Sequence, residues 1–455
     1  MSRILSFCAV CCVLCSVSAG QWLETTIYLA DSLGGLTQPR CLTYNSVNNT
    51  IYVGGEGGDC VLAIDGATNQ KTARIAAGSH GSALCYNPQN NKVYCANEYS
   101  DDVTVIDGAS NQAIATVPAG DLPRVLCYNP QNNKVYCGNS SDVTVVDGAS
   151  NQVIITVATG IGPLALGYNP HNNKVYCANG FSDDVTVIDG ASNQVIATVA
   201  VGAGPNSLCY NPQNNKVYCG SWFADNVAVI DGASDQVTAT VPVGDGPKAL
   251  CYNPLDNKVY CANYNSVNVT VIDGVSDQVI ATVAARYFPS ALCYDPQNNK
   301  VYCANRYSGT VTVIDGASNQ ALRTITVGAG PRDFCHNPVQ NRVYVANYDS
   351  SSISVLRDSG GGVEESKQPV VNRQKPMATV ARGSLRLQKA ASGERSAVGA
   401  CLLDAAGRRV MELQAGPNDV RRLAPGVYFV IEQSAFSSQH SGLDASRVTK
   451  VIVAR

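Results

Sequence analysis

Short apolar runs alternate with polar punctuation through most of this chain, and they do so on a fixed beat. In one stretch the runs cover residues 83–87, 92–97, 103–107 and 113–119, each rich in Val, Ile, Thr and Tyr and bounded by Gly, Asn, Asp and Pro. That is the pattern of β-strands joined by tight turns. The phrase Tyr-Asn-Pro-x-Asn/Asp-Asn-Lys-Val-Tyr begins at Tyr86, Tyr128, Tyr168, Tyr210 and Tyr252, with variants at Tyr44, Tyr294 and His336. The spacing is 42 residues, except for 40 between Tyr128 and Tyr168. A second phrase, close to Val-Ile-Asp-Gly, keeps the same period at Asp65, Asp107, Asp147, Asp189, Asp231, Asp273 and Asp315, with Arg357 in eighth place.

Four strands in such a period make one propeller blade; helical repeats of similar length lack these β runs. The first three strands occur eight times. One copy of the fourth, residues 25–29, precedes the first Tyr phrase, and none follows residue 356. An N-terminal strand therefore completes the last blade and closes the ring, removing an open sheet edge. The expectation is an all-β chain with an eight-bladed β-propeller of four-stranded blades over residues 20–357. The second-strand phrases Tyr94-Cys95-Ala96-Asn97 and Tyr344-Val345-Ala346-Asn347 resemble the YVTN-family β-propeller repeat. That resemblance implies the fold, and covers activities from surface proteins to lactonase-like enzymes and cofactor-bearing dehydrogenase subunits. The family often has seven blades, so eight is a departure argued from the count.

Composition changes this picture through its 19 cysteines. Four fall in the apolar run 4–17, which follows Arg3 and ends in Val17-Ser18-Ala19. That segment reads as a secretory signal over residues 1–19, too short for a membrane span of about 20 apolar residues. Twelve more occupy two repeat positions: Cys85, Cys127, Cys209, Cys251, Cys293 and Cys335 on first strands; Cys95, Cys137, Cys177, Cys219, Cys261 and Cys303 on second strands. A three-residue hairpin loop with Asn90 in the left-handed conformation pairs Asn87 with Asn91. Cys85 then faces Val93, and the two sulfurs lie diagonally on one sheet face, farther apart than a disulfide spans. Buried thiols are expected over bridges, although a five-residue loop would restore them, and Cys41 with Cys60 leaves a bridge open in the first blade. Beyond the signal segment no Cys-x-x-Cys or Cys/His ligand spacing appears, so neither metal nor cofactor is expected.

The two rims differ. The Asn-Pro hairpins and the Asp-Gly turns are near-identical copies on one rim, and turn chemistry accounts for them. The opposite rim varies from blade to blade and carries the candidate ligand-binding residues Tyr99, Arg124, Phe181, Trp222, Phe223, Lys248, Tyr264, Arg286, Tyr307, Arg332 and Tyr348. Aromatic faces beside Arg and Lys suit a glycan, peptide or anionic ligand; the alternative is that these rings pack against neighbouring blades. No catalytic residue is assigned. Four histidines, of which only His80 stands on the variable rim, do not converge, and no nucleophile elbow or zincin pair is present.

Residues 358–375, rich in Gly, Ser and Glu, read as a linker. Residues 376–455 hold 11 basic and 6 acidic residues, a net of +5 in a chain of net −3. Short β runs at 385–388, 400–403, 409–413, 427–432 and 448–453 suit a small Ig-like β-sandwich. The phrases around Asp404, Gly407 and Arg408, then Gly426 and Tyr428, then Lys450 resemble a type IX secretion C-terminal sorting domain. The resemblance implies delivery across the outer membrane by secretion machinery that recognises residues 376–455. With 15% charged residues and a near-neutral total, a nucleic-acid groove or a polybasic membrane patch is not expected. Together these readings describe a secreted or cell-surface binding scaffold for a glycan, peptide or protein, with no transmembrane anchor in the mature chain. A secreted propeller lyase or lactonase-like hydrolase is the alternative.

Overall fold

The computed structural model describes residues 20–30 and 35–358 with their side chains, and from residue 379 the backbone of seven short strands. Residues 1–19, expected to be a secretory signal, and residues 359–375 of the expected linker lie outside the described residues. Two compact units divide the chain, Met1–Glu364 and Glu365–Arg455.

In the first unit the strands form eight four-stranded antiparallel sheets. Seven take consecutive strands, beginning with Thr37–Asn45, Thr50–Gly57, Cys60–Asp65 and Lys71–Ala76 as blade 1. Blade 8 joins Pro331–Asn337, Arg342–Asn347 and Ser352–Asp358 to the N-terminal strand Gln21–Tyr28. That closing strand starts earlier than residue 25, because pairing continues past a bulge between Leu23 and Thr25 to Gln21 opposite Asp358. First strands of neighbouring blades pack on one another in a closed ring around a central channel.

The core lies between blades. Tyr94, Val103 and Val105 of blade 2 pack with Val135, Cys137 and Val146 of blade 3, and each junction repeats the arrangement. The second-strand tyrosines are fully buried, and their hydroxyls reach the turn of the next blade, as Tyr176 does to Asp235 Oδ1 at 2.7 Å. Lys92 spans the same gap, donating to Gly148 O and Asn151 Oδ1. Hydrogen bonds between side-chain amides of neighbouring hairpins, such as Asn87 Nδ2 donating to Asn133 Oδ1 at 2.8 Å, circle the uniform rim. Asp107 accepts from Ala109 N, Ser110 N and Ser110 Oγ of its own turn, and the Ser110 hydroxyl leads in holding its carboxyl below the ordinary range.

The hairpin register differs from the three-residue expectation. Asn87 pairs with Lys92, Cys85 with Tyr94 and Leu84 with Cys95. Asn87 Oδ1 accepts from Gln89 N and Asn90 N, which winds a turn over 88–90 and moves the left-handed residue to Asn91, at φ 51°. With four loop residues, Cys85 and Cys95 sit one register step apart and face opposite sides of the sheet. All fourteen cysteines among the described residues are free thiols, Cys41 and Cys60 included.

In the second unit Thr379–Ala381, Arg447–Val453, Gly426–Gln433, Gly399–Leu403 and Arg409–Leu413 form one sheet in that order, and Ser384–Leu387 pairs with Gly416–Asp419. Tyr428 lies opposite Val451 and Phe429 opposite Lys450. Asp404, Gly407 and Arg408 lie outside the described residues.

Candidate functional site

A backbone irregularity builds the mouth of the channel on the variable rim. In seven blades the pairing of first and second strands slips by one residue, between Pro39 and Cys41, Gly81 and Ala83, Pro163 and Ala165, Pro205 and Ser207, Pro247 and Ala249, Pro289 and Ala291, and Pro331 and Asp333. Proline cannot donate to the ladder and precedes the slip in six of them. The residue left over is Arg40, Ser82, Leu164, Asn206, Lys248, Ser290 or Arg332, and a bulge re-aims such a side chain. Arg124 takes the equivalent place in blade 3, its N–H bonded to Gly138 O. Arg40, Ser82, Lys248, Ser290 and Arg332 line a cavity of about 490 Å³ together with Tyr264, Arg306 and Asp333.

The residue just before each proline or Gly81 has positive φ: Gln38, His80, Leu122, Gly162, Gly204, Gly246, Phe288 and Gly330. Glycine fits this conformation without cost, whereas a bulky residue there is strained by about 1 kcal/mol or more. Two of the strained residues, Phe288 and His80, belong to the two halves of the mouth.

On the side of blades 5 to 8 the first loop residue after each second strand is Trp222, Tyr264, Arg306 or Tyr348. Tyr264 stacks on Phe288 at 4.5 Å with the rings 2° from parallel, and Trp222 tilts against Tyr264 at 5.4 Å. Lys248 lies 5.6 Å from the Trp222 ring, and Arg306 and Arg332 lie 5.5 and 5.0 Å from the Tyr348 ring, within cation–π range. Among the described residues no carboxylate pairs with Lys248 or Arg306, and Arg332 meets Glu56 only at 3.9 Å. Lys248 is exposed toward the channel, yet the surrounding protein crowds it. Desolvation by that crowding, followed by the charges of Arg332, Arg306 and Arg40, holds its ammonium below the ordinary lysine value.

The side of blades 1 to 3 is self-satisfied. Arg40 pairs with Glu98 at 2.9 Å and Glu56 at 3.3 Å, and Arg124 Nε pairs with Glu98 at 2.8 Å. His80 Nε2 lies 2.8 Å from Arg40 Nη1, and its ring sits 4.1 Å from that of Tyr99. The guanidinium carries only donors, so in that contact the imidazole nitrogen accepts. Tyr348 donates its hydroxyl to Glu56. Below this layer Asp333 Oδ2 accepts the Leu42 N–H at 2.8 Å, and burial pushes its carboxyl up to about 6.

Of the eleven candidate residues, Arg124, Trp222, Lys248, Tyr264, Arg332 and Tyr348 gather at this mouth. Tyr99, Phe181, Phe223, Arg286 and Tyr307 do not line the 490 Å³ cavity: Tyr307 is 78% and Phe223 74% exposed, Tyr99 lies against His80, and Phe181 and Phe223 line an adjoining hollow with Trp222 and Lys248. Phe181 and Phe223 cover Gly162 and Gly204, where an added Cβ would run into the ring. Sequence reasoning missed Arg40, Glu56, Glu98, Phe288, Arg306 and Asp333. Aligning the repeats on the residue after each proline would have found Arg40 and exposed Asp333 among Cys41, Ala83, Val125, Ala165, Ser207, Ala249 and Ala291.

A closed ring of four-stranded blades with a chemically varied mouth defines the molecule as a β-propeller. The YNCE-like beta-propeller family matches residues 11–340, and the chain belongs to that family. No curated protein matches it. Among solved structures it is similar to the hydrazine synthase of Kuenenia stuttgartiensis, at 19% identity over 71% of this chain and 96% of that one, with a TM-score of 0.53. It is also similar to the computationally designed Ika8 protein, at 18% identity over 74% of this chain and 100% of that one, with a TM-score of 0.60. Both likenesses concern the fold alone.

Proposed function

We propose that this chain is an exported eight-bladed propeller that serves as a binding scaffold, taking a glycan, peptide or protein ligand at the channel mouth on the variable rim. One observation carries the reading. Tyr264, Lys248, Arg306 and Arg332 line one cavity, and its cations, held against the rings of Trp222 and Tyr348 at its border, lack full ion-pair partners. A concave site with a few convergent polar groups is the usual form of a ligand pocket. Residues 376–455 act in this reading as a small Ig-like β-sandwich of the type IX sorting kind, which carries the propeller to the cell surface or beyond after the signal peptide has directed it across the inner membrane. Screening the full chain on glycan and peptide arrays, then repeating each hit with Trp222→Ala and Arg332→Ala, tests the site. Hits that both variants bind unchanged would remove the mouth from the account.

A lyase or hydrolase is the second reading, favoured by His80 lying between Glu56 and Glu98 at 3.4 and 3.3 Å. Arg40 and Arg124 already neutralise those carboxylates, which weighs against it. Turnover of a lactone panel that disappears in His80→Ala would reverse the order.

A further inference from the structure

We propose that the half of the mouth built by blades 5 to 8 is a subsite for an acidic sugar, with Lys248, Arg306 and Arg332 holding its carboxylate and Trp222 and Tyr264 carrying the apolar face of its ring. This deepens the reading of the mouth as a ligand site and rests on it.

Three cations line or border one cavity of about 490 Å³, within the range of about 300–1,000 Å³ typical of small-ligand pockets. Aromatic faces hold them there: Arg306 and Arg332 share the ring of Tyr348, and Lys248 lies beside Trp222. Like charges gathered in a partly desolvated site repel one another. Arg332 shows the strain, its guanidinium lowered first by burial and then by Arg40 and Arg306. A bound anion relieves that repulsion, and two guanidinium forks match the planar oxygens of a carboxylate.

The rest of the mouth narrows the ligand. Glu56 and Glu98 face it from blades 1 and 2, paired with Arg40 and Arg124. A polyanionic strand crossing the opening would meet both glutamates, whereas a single acidic group seated between Lys248, Arg306 and Arg332 meets only Glu56, whose oxygens are already engaged by Arg40 and Tyr348. The stacked Tyr264–Phe288 pair and the tilted Trp222 offer flat apolar surface beside the cations. A uronic acid unit presents both faces at once, a C–H-rich ring side and a carboxylate at its edge.

Tryptophan emission reads the site directly, because the chain has two tryptophans and Trp22→Phe leaves Trp222 as sole reporter. Trigalacturonate, its methyl ester, a neutral galactose trisaccharide and a ten-residue oligothymidylate are titrated into the full chain. The expected result is a saturable change with trigalacturonate, at least about tenfold weaker with the ester, Lys248→Ala or Arg332→Ala, and retained in Lys248→Arg. Unchanged thermal melting of the variants separates loss of binding from loss of fold. Equal binding of ester and acid, or binding of the neutral trisaccharide alone, overturns the carboxylate subsite and leaves the mouth as a ligand site. Binding of oligothymidylate alone overturns the sugar assignment in favour of a nucleic-acid strand. No change with any probe overturns the subsite, and if the arrays are also empty the mouth reading falls with it.

Discussion

One carboxyl stands in the channel wall where seven other blades place a small or apolar side chain. Asp333 keeps its N–H partner from Leu42, yet burial raises its carboxyl to about 6. Between the unfolded value near 3.9 and about 6, the native state holds a proton that the unfolded chain has released. Stability therefore declines as pH rises through that window, by about 2–3 kcal/mol in all. Asp333→Asn keeps an acceptor for Leu42 and removes the charge. Urea unfolding should show the variant more stable than the parent at pH 7.5 by about that amount, with the gap closing at pH 4; parallel curves from pH 4 to 8 would refute it. Burial also pushes the thiols of Cys95, Cys219 and Cys303 up to about 12, which keeps them protonated and unreactive in the folded core. Their periodic places were legible in the sequence, because Cys recurs wherever neighbouring blades need a small, soft side chain.

At the scale of elements, the ring holds through latches from each second strand to the turn of the next blade. The latch that crosses the chain ends is the most elaborate. Arg342 donates to Gly66 O at 2.7 Å and Ala67 O at 3.0 Å, and its other nitrogens grip Glu24 of the closing strand at 2.6 and 2.7 Å. It thus ties together the N-terminal strand, blade 8 and blade 1. Arg342→Ala takes the bidentate partner from Glu24, which keeps only Arg357 at 3.6 Å, and one donor each from Gly66 O and Ala67 O; it should cost about 2 kcal/mol by denaturant unfolding. A loss below about 1 kcal/mol would show that strand pairing alone closes the ring. Strand identity and closure were readable from period and count. Hairpin register was not, because Asn90 and Asn91 are both turn-forming residues and only the Asx turn at Asn87 decides which one takes positive φ. The bulges were hidden for a related reason: a one-residue slip leaves the repeat length unchanged while re-aiming Arg40, Lys248 and Arg332.

At the scale of the molecule, one rim repeats itself and the other does not. The uniform rim is used up by Asn and Lys contacts between blades and by Asp contacts within the turns, and the variable rim is where the eightfold pattern breaks into an aromatic–cationic half and a paired-charge half. Comparing repeats within the sequence located that rim and six of the residues at its mouth. It did not separate the cavity-lining residues from those beside them, since Tyr264 and Tyr307 are loop tyrosines of similar chemistry and only the fold puts Tyr264 on the cavity and leaves Tyr307 exposed. The proposed sorting role of residues 376–455 predicts that removing them leaves the protein in the periplasm by cell fractionation; undiminished export would refute it. The central claim concerns the mouth. Hydrogen–deuterium exchange of the full chain with a ligand from the arrays tests it most directly. The account predicts protection confined to the segments around residues 38–42, 222, 248, 264, 288, 306, 332 and 348; protection on the Asn-Pro hairpins or the outer strands, with the mouth unchanged, would contradict it.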